Sequence, residues 1–201
     1  RATLDGLPEP LRGNGGLDFY RHLGCDIFLL NGWGLETPLR SPRLVFEPGV
    51  RIDGKTDGAR RTVTWTTPWG LWTACYENGH PRKYPVDSIE AVRTWRRLWE
   101  GARYESADDS AAAQAIDRRL ADDGVFTRFW GPSAIPRLLE TDMGAETFYY
   151  LLADHPGDMD GLIRAMHDAD RQAFAILARG PWESVTLVEN TSTFYISPAL
   201  Y

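Results

Sequence analysis

The chain has 201 residues, 43% hydrophobic and 12% aromatic, with a net charge of −6. That suffices for one apolar core, and without a Lys/Arg-rich run it excludes the footprint of nucleic-acid or anionic-membrane binding. No apolar run approaches the ~18 residues of a membrane span, and no charged-then-apolar signal peptide opens the sequence.

The two cysteines, Cys25 and Cys75, sit in no CxxC pair or disulfide framework. Such isolated thiols suit a reducing compartment, so a cytoplasmic protein is expected. The chain starts at Arg1 and stops at Tyr201, just after Ser197-Pro198, a pairing that announces a helix. Both ends therefore read as cuts.

Residues 1–15, with their glycines and prolines, read as loop. Leu17, Phe19, Tyr20 and Leu23 give a short helical pattern that Gly24 ends. The run Asp26 to Leu30 (DIFLL) is continuously apolar, as in a strand of a parallel sheet buried on both faces. Asn31-Gly32 closes it. Residues 34–58 are rich in Gly and Pro, with a short strand expected over 43–47. Alternation over 60–66, then Thr67-Pro68, then Trp69 to Tyr76 predicts an antiparallel pair.

Asp87-Ser88-Ile89-Glu90 is a capping box, and Ile89, Val92, Trp95, Leu98 and Trp99 follow at helical spacing. A second helix is expected over 108–123 and a strand over 125–130 (VFTRFW), closed by Gly131-Pro132. Helices follow at 133–140, 145–154 and 158–179. The last carries Leu162, Ile163, Met166, Phe174 and Leu177 on its apolar side. A final strand runs over 184–188. Buried-type strands alternating with helices argue for a parallel α/β sheet, whose ligands gather at the carboxyl ends of the strands.

Three such ends are legible: Asn31-Gly32-Trp33, Trp130-Gly131-Pro132-Ser133, and Glu189-Asn190 followed by Thr191-Ser192-Thr193. A carboxylate beside an amide at a strand tip can orient a substrate or relay a proton. The reading makes Glu189 and Asn190 candidate catalytic residues, and Asn31, Trp33, Trp130 and Ser133 candidate substrate-binding residues. The competing reading of each is a turn residue or helix cap. Cys75 and His80 lack a second cluster to complete a tetrahedral metal set, so no metal ligand is assigned. His22, His155 and His167 read as surface or packing residues.

Several of these segments resemble the uroporphyrinogen decarboxylase superfamily. They are Trp130 to Ser133, Glu146 to Pro156, Val185 to Asn190 with Ile196-Ser197-Pro198, and His22 to Asp26 before the first strand. Thr67-Pro68-Trp69-Gly70 and Tyr84-Pro85-Val86 resemble the hairpin-and-helix insertion of its methyltransferase-like branch. The resemblance implies an α/β fold of the (β/α)8 TIM-barrel type, incomplete here, with one partial barrel over 1–201 and a hairpin flap at about 34–86. A complete barrel takes ~250 residues, and a complete doubly wound domain is the competing structural reading.

The superfamily has two chemistries. Decarboxylases remove acetate carboxylates from a tetrapyrrole without a cofactor. The methyltransferase branch moves a methyl group between a corrinoid protein and a thiol with zinc, whose ligands the resemblance would place after Tyr201. The decarboxylase pattern is broken here. Gly32-Trp33 stands where its Asp belongs, Leu138 near its Tyr and Asn190 near its Ser, and only Arg1 and Arg12 stand where its arginine motif belongs. The expectation is thus a methyltransferase-like protein with a corrinoid partner. The alternatives are a uroporphyrinogen decarboxylase acting on a tetrapyrrole, or a binding barrel without catalysis.

Overall fold

The computed structural model describes residues 16–31, 39–190, 192 and 196. In chain order the elements are α1 (Gly16–His22), β1 (Ile27–Leu30), β2 (Arg43–Val45), β3 (Arg51–Asp57), β4 (Arg60–Thr67), β5 (Gly70–Glu77) and β6 (His80–Lys83). There follow α2 (Ile89–Glu100), β7 (Arg103–Glu105), α3 (Ser110–Leu120), β8 (Gly124–Trp130) and α4 (Ala134–Arg137), which runs into a π-helical turn over Leu138–Asp142. Then come α5 (Ala145–Asp154), α6 (Pro156–Leu177) and β9 (Ser184–Leu187). Among the described residues no helix is long and apolar enough to cross a membrane.

The chain divides into two compact units. The smaller comprises residues 1–41, 106–130 and 177–187, and the larger 42–105, 131–176 and 188–201.

In the smaller unit β1, β8 and β9 form a parallel sheet in the order β1-β8-β9. Its core is Leu17, Ile27, Leu29, Ala113, Ile116, Leu120 and Phe126, with Leu39 and Trp182 packed against it. Ile116 and Leu120, one turn apart on α3, supply the helical stripe. Arg21 of α1 ties this helix to the last turn of α3, through the Arg119 carbonyl, and to the chain after it, through Asp123 at 2.5 Å.

The larger unit holds two antiparallel sheets. One is the pair β2-β7; the other is the meander β3-β4-β5-β6. Two-residue links join the meander strands. Asn78 and Gly79, at φ 51° and 80°, make the link between β5 and β6, the left-handed conformation that Asn-Gly adopts at low cost. Strand β3 (RIDGKTD) is exposed along its length, and its four charged side chains guard an unpaired sheet edge. The inner face of the meander carries Trp65 and Trp72, which meet the ring of Trp95 on α2 edge-on at 5.4 and 6.5 Å. Helix α2 starts at Ser88, whose hydroxyl accepts from the Ala91 amide at 3.3 Å.

These sheets overturn the barrel expectation. Among the described residues parallel pairing is confined to three strands, and the other six are antiparallel, which is a mixed α/β architecture and not a (β/α)8 barrel pattern. The physical reason lies in the connections. A parallel neighbour needs a crossover of a dozen or more residues, whereas links of two residues return the chain antiparallel. Strands β3, β6 and β7 were also not foreseen; they are short or charged and lack the apolar run that marks a strand.

Trp95 is 2% exposed and also donates its indole N–H to Asp142 at 3.1 Å. Trp95→Ala is expected to cost about 3–5 kcal/mol, read as a lower urea midpoint at unchanged slope.

Candidate functional site

The larger unit assembles a polar cluster around Ser133, Arg137, Asp170 and Glu189. Gly131 makes room for it. Its φ is +125°, and a Cβ there would stand 2.6 Å from the Val188 carbonyl oxygen, so only glycine lets the two backbones approach this closely. The approach brings Glu189 onto Ser133. The Ser133 amide donates to Glu189 Oε1 at 2.9 Å, and the Ser133 hydroxyl donates to Oε2 at 3.1 Å. Ser133 stands at the N-cap position of α4 but makes no side-chain cap bond to that helix. Its hydroxyl goes to the carboxylate instead, fixing both oxygens.

Asp170 belongs to α6, whose buried side runs Met159, Leu162, Met166, Ala169 and Ala173. Position 170 falls on that stripe, so a carboxyl group is buried where the helix otherwise presents apolar side chains. Burial pushes it up to about 6. The charge of Arg137 and a hydrogen bond from the Ala134 amide oppose the rise, and the Glu189 charge adds to it. Oδ2 of Asp170 has no hydrogen-bond partner among the described residues; nor has the indole N–H of the buried Trp99.

Arg137 links these groups. Its guanidinium lies over the Trp99 ring, 5.0 Å from the centroid, hydrogen-bonds the Tyr104 side chain, and stands 3.9 Å from Asp142. Asp142 is buried and its carboxyl is raised by desolvation, against the Arg137 charge and hydrogen bonds from Trp95 and Thr141. Tyr104 is likewise raised by burial, and its backbone amide donates to Gln172 of α6 at 3.2 Å. One cation thus lies near both Asp142 and Asp170 and opposes the rise that burial imposes on each.

The candidate residues read from the sequence fall in different places. Ser133 and Glu189 are brought together. Asn190 is exposed, and its Oδ1 accepts from the Ser192 amide at 3.3 Å, a local turn bond. Asn31 and Trp130 lie in the smaller unit. Asn31 has φ 52°, and its side-chain oxygen accepts from Arg128 and from the Phe129 amide. Trp130 is half-buried at the end of β8. Trp33 lies outside the described residues, as do the glycine beside it and the Ser197-Pro198 pair.

Three charged residues were missed. Asp170 is legible as a carboxylate in phase with Leu162, Met166 and Ala173. Phe174, one turn on from Asp170, shares its side of the helix but is 38% exposed. Arg128 is a charge inside an apolar strand, a signal present in VFTRFW. Arg137 gave no signal, because a lone arginine after proline is ordinary at a helix end.

Both cysteines are free. Cys25 is exposed, and Cys75 accepts from Arg60 Nε at 3.0 Å. Zinc, which the resemblance implies, does not fit the described residues: none of them form a group of three or more His, Cys, Asp or Glu placed to hold a metal. In comparisons with known proteins, no family model, curated protein or solved structure matches the chain.

The raised Asp170 carboxyl sets a sign for stability against pH. It holds its proton to about 6 when folded, against an ordinary value of 3.8. Its contribution is therefore full below about pH 4 and lost as pH rises through about 6, by up to about 3 kcal/mol. The Arg43-bound Glu105 and the Arg93-bound Asp158 are lowered and act in the opposite sense. The comparison that isolates Asp170 is wild type against Asp170→Asn, in urea melts between pH 4 and 7. The variant is expected to lose that part of the slope.

Proposed function

We propose that this chain carries the acid–base part of a methyl-transfer site, with chemistry like that of the methyltransferase-like branch of the uroporphyrinogen decarboxylase superfamily but not on its barrel, and that it works with a corrinoid partner. The observation that carries the reading is Glu189, its two oxygens fixed by Ser133, sharing a cluster with a buried Asp170 raised to about 6. When a methyl group passes from a corrinoid to a thiol, a carbon–sulfur bond forms and the carbon–cobalt bond breaks. The electron pair stays on cobalt and the thiol proton must leave. The Glu189 carboxylate, beside an Asp170 carboxyl raised to about 6, is placed to receive it. Glu189 is half-buried and faces the substrate in this reading. Asp170, buried behind the Ala134 amide, tunes the pair.

Two features favour this branch over the decarboxylase. The meander of residues 51–83 occupies the stretch where the resemblance places the methyltransferase hairpin insertion. The decarboxylase's Asp, Tyr and Ser positions are filled by other residues, which removes contacts that a substrate rich in carboxylates needs.

The test is anaerobic incubation of the purified full-length protein with methylcobalamin and 2-mercaptoethanol, following loss of the methylcobalamin absorbance. The expected result is thiol-dependent demethylation whose rate rises with pH through about 6. Glu189→Gln should slow it by about 10²-fold, and Asp170→Asn should abolish the limb near 6. Absence of demethylation overturns the reading, and formation of coproporphyrinogen from uroporphyrinogen replaces it with the decarboxylase.

A further inference from the structure

Arg128 lies inside the parallel sheet of the smaller unit and is only 8% exposed. A guanidinium so placed ordinarily faces a carboxylate, because a buried charge without a counter-ion is costly. Here every described acceptor is neutral. Nε donates to the Ser41 carbonyl at 2.7 Å, and Nη1 to Asn31 Oδ1 at 2.6 Å and to the Phe129 carbonyl at 3.4 Å. The carboxylate whose field reaches Arg128 is Asp109. Its two oxygens are taken by the Arg40 and Ser41 amides, each at 2.8 Å. Desolvation outweighs that field and lowers the guanidinium below its ordinary value.

The geometry leaves one side of the fork unused. Among the described residues none accepts from Nη2, yet Nη2 is not one of the polar atoms sealed away from solvent without a partner. The guanidinium carbon stands 5.9 Å from the Trp182 ring centroid, so one face is covered by an aromatic plane that fixes the fork's orientation. Asn31 follows the last residue of β1 and Arg128 lies in the carboxyl-terminal half of β8, so the pair stands at the end of a parallel sheet where ligands collect.

We propose that Arg128, oriented by Asn31, Ser41 and Trp182, is the anchor of an oxyanion-binding site that takes the carboxylate or phosphate group of a small ligand. The ligand supplies the counter-charge that none of the described residues places in contact with Arg128. Arginine suits this role because its planar fork meets an oxyanion with parallel N–H donors. The proposal is independent of the methyl-transfer reading, since all its residues lie in the smaller unit.

The test is thermal unfolding of the purified protein titrated with sodium acetate and with sodium phosphate, against sodium chloride at equal ionic strength. A saturable rise in Tm with one oxyanion, beyond that with chloride, is expected, and the two arms tell a carboxylate site from a phosphate site. Asn31→Asp puts a carboxylate in the place of the Asn31 oxygen while keeping an acceptor for the Phe129 amide. It should raise Tm without anion and weaken the oxyanion response by roughly tenfold or more. A response no larger than that of chloride, one unchanged in Asn31→Asp, or an Asn31→Asp protein less stable than the parent overturns the proposal.

Discussion

The larger unit depends on the indole of Trp95. One side chain on α2 meets two tryptophans of the meander and satisfies the buried Asp142 carboxyl through its N–H. Aromatic edge contacts supply apolar burial, while the hydrogen bond lets a carboxyl group stay inside without an unanswered oxygen. Asp142 in turn lies at the end of the π-helical turn whose first neighbour is Arg137. The same residue that seats the meander thus anchors the segment that delivers the cation to Asp170.

The two polar clusters treat buried charge in opposite ways. Around Arg137 there are more carboxyl groups than cations, so burial is met by proton uptake and Asp170 moves toward neutrality. Around Arg128 the guanidinium cannot shed its proton in the accessible range, so burial is met by neutral oxygens and an aromatic face. One cluster is suited to exchanging a proton and the other to holding an anion. Both follow from placing a charged residue in phase with an apolar surface, Asp170 on a helix and Arg128 in a strand.

Much of the local structure was legible. The periodicity of Val92, Trp95, Leu98 and Trp99 encodes α2, and the alternation around Thr67-Pro68 encodes the β4-β5 pair, because one-sided burial leaves its period in the residues. The α2 boundary shifted by one residue, since Ser88 and not Asp87 caps the helix. At the site, Glu189 and Ser133 were each legible as strand-tip residues. Their mutual hydrogen bonds were not, because 56 residues separate them and only the absent Cβ of Gly131 lets the chains meet.

The sequence by itself determined the helices and the apolar or alternating strands, though not the short or charged strands β3, β6 and β7, because winding and one-sided burial are properties of neighbouring residues. Sheet membership was decided only in the tertiary structure. The runs at 27–30, 124–130 and 184–187 pair in parallel as expected, whereas the six strands between residues 43 and 105 pair antiparallel. Strand pairing is a choice among distant partners, and the links between strands narrow it without setting it. The proton affinity of Asp170 and the neutral setting of Arg128 belong to the same class. Each depends on desolvation and on charges brought near from elsewhere in the chain, and neither quantity exists until the fold does.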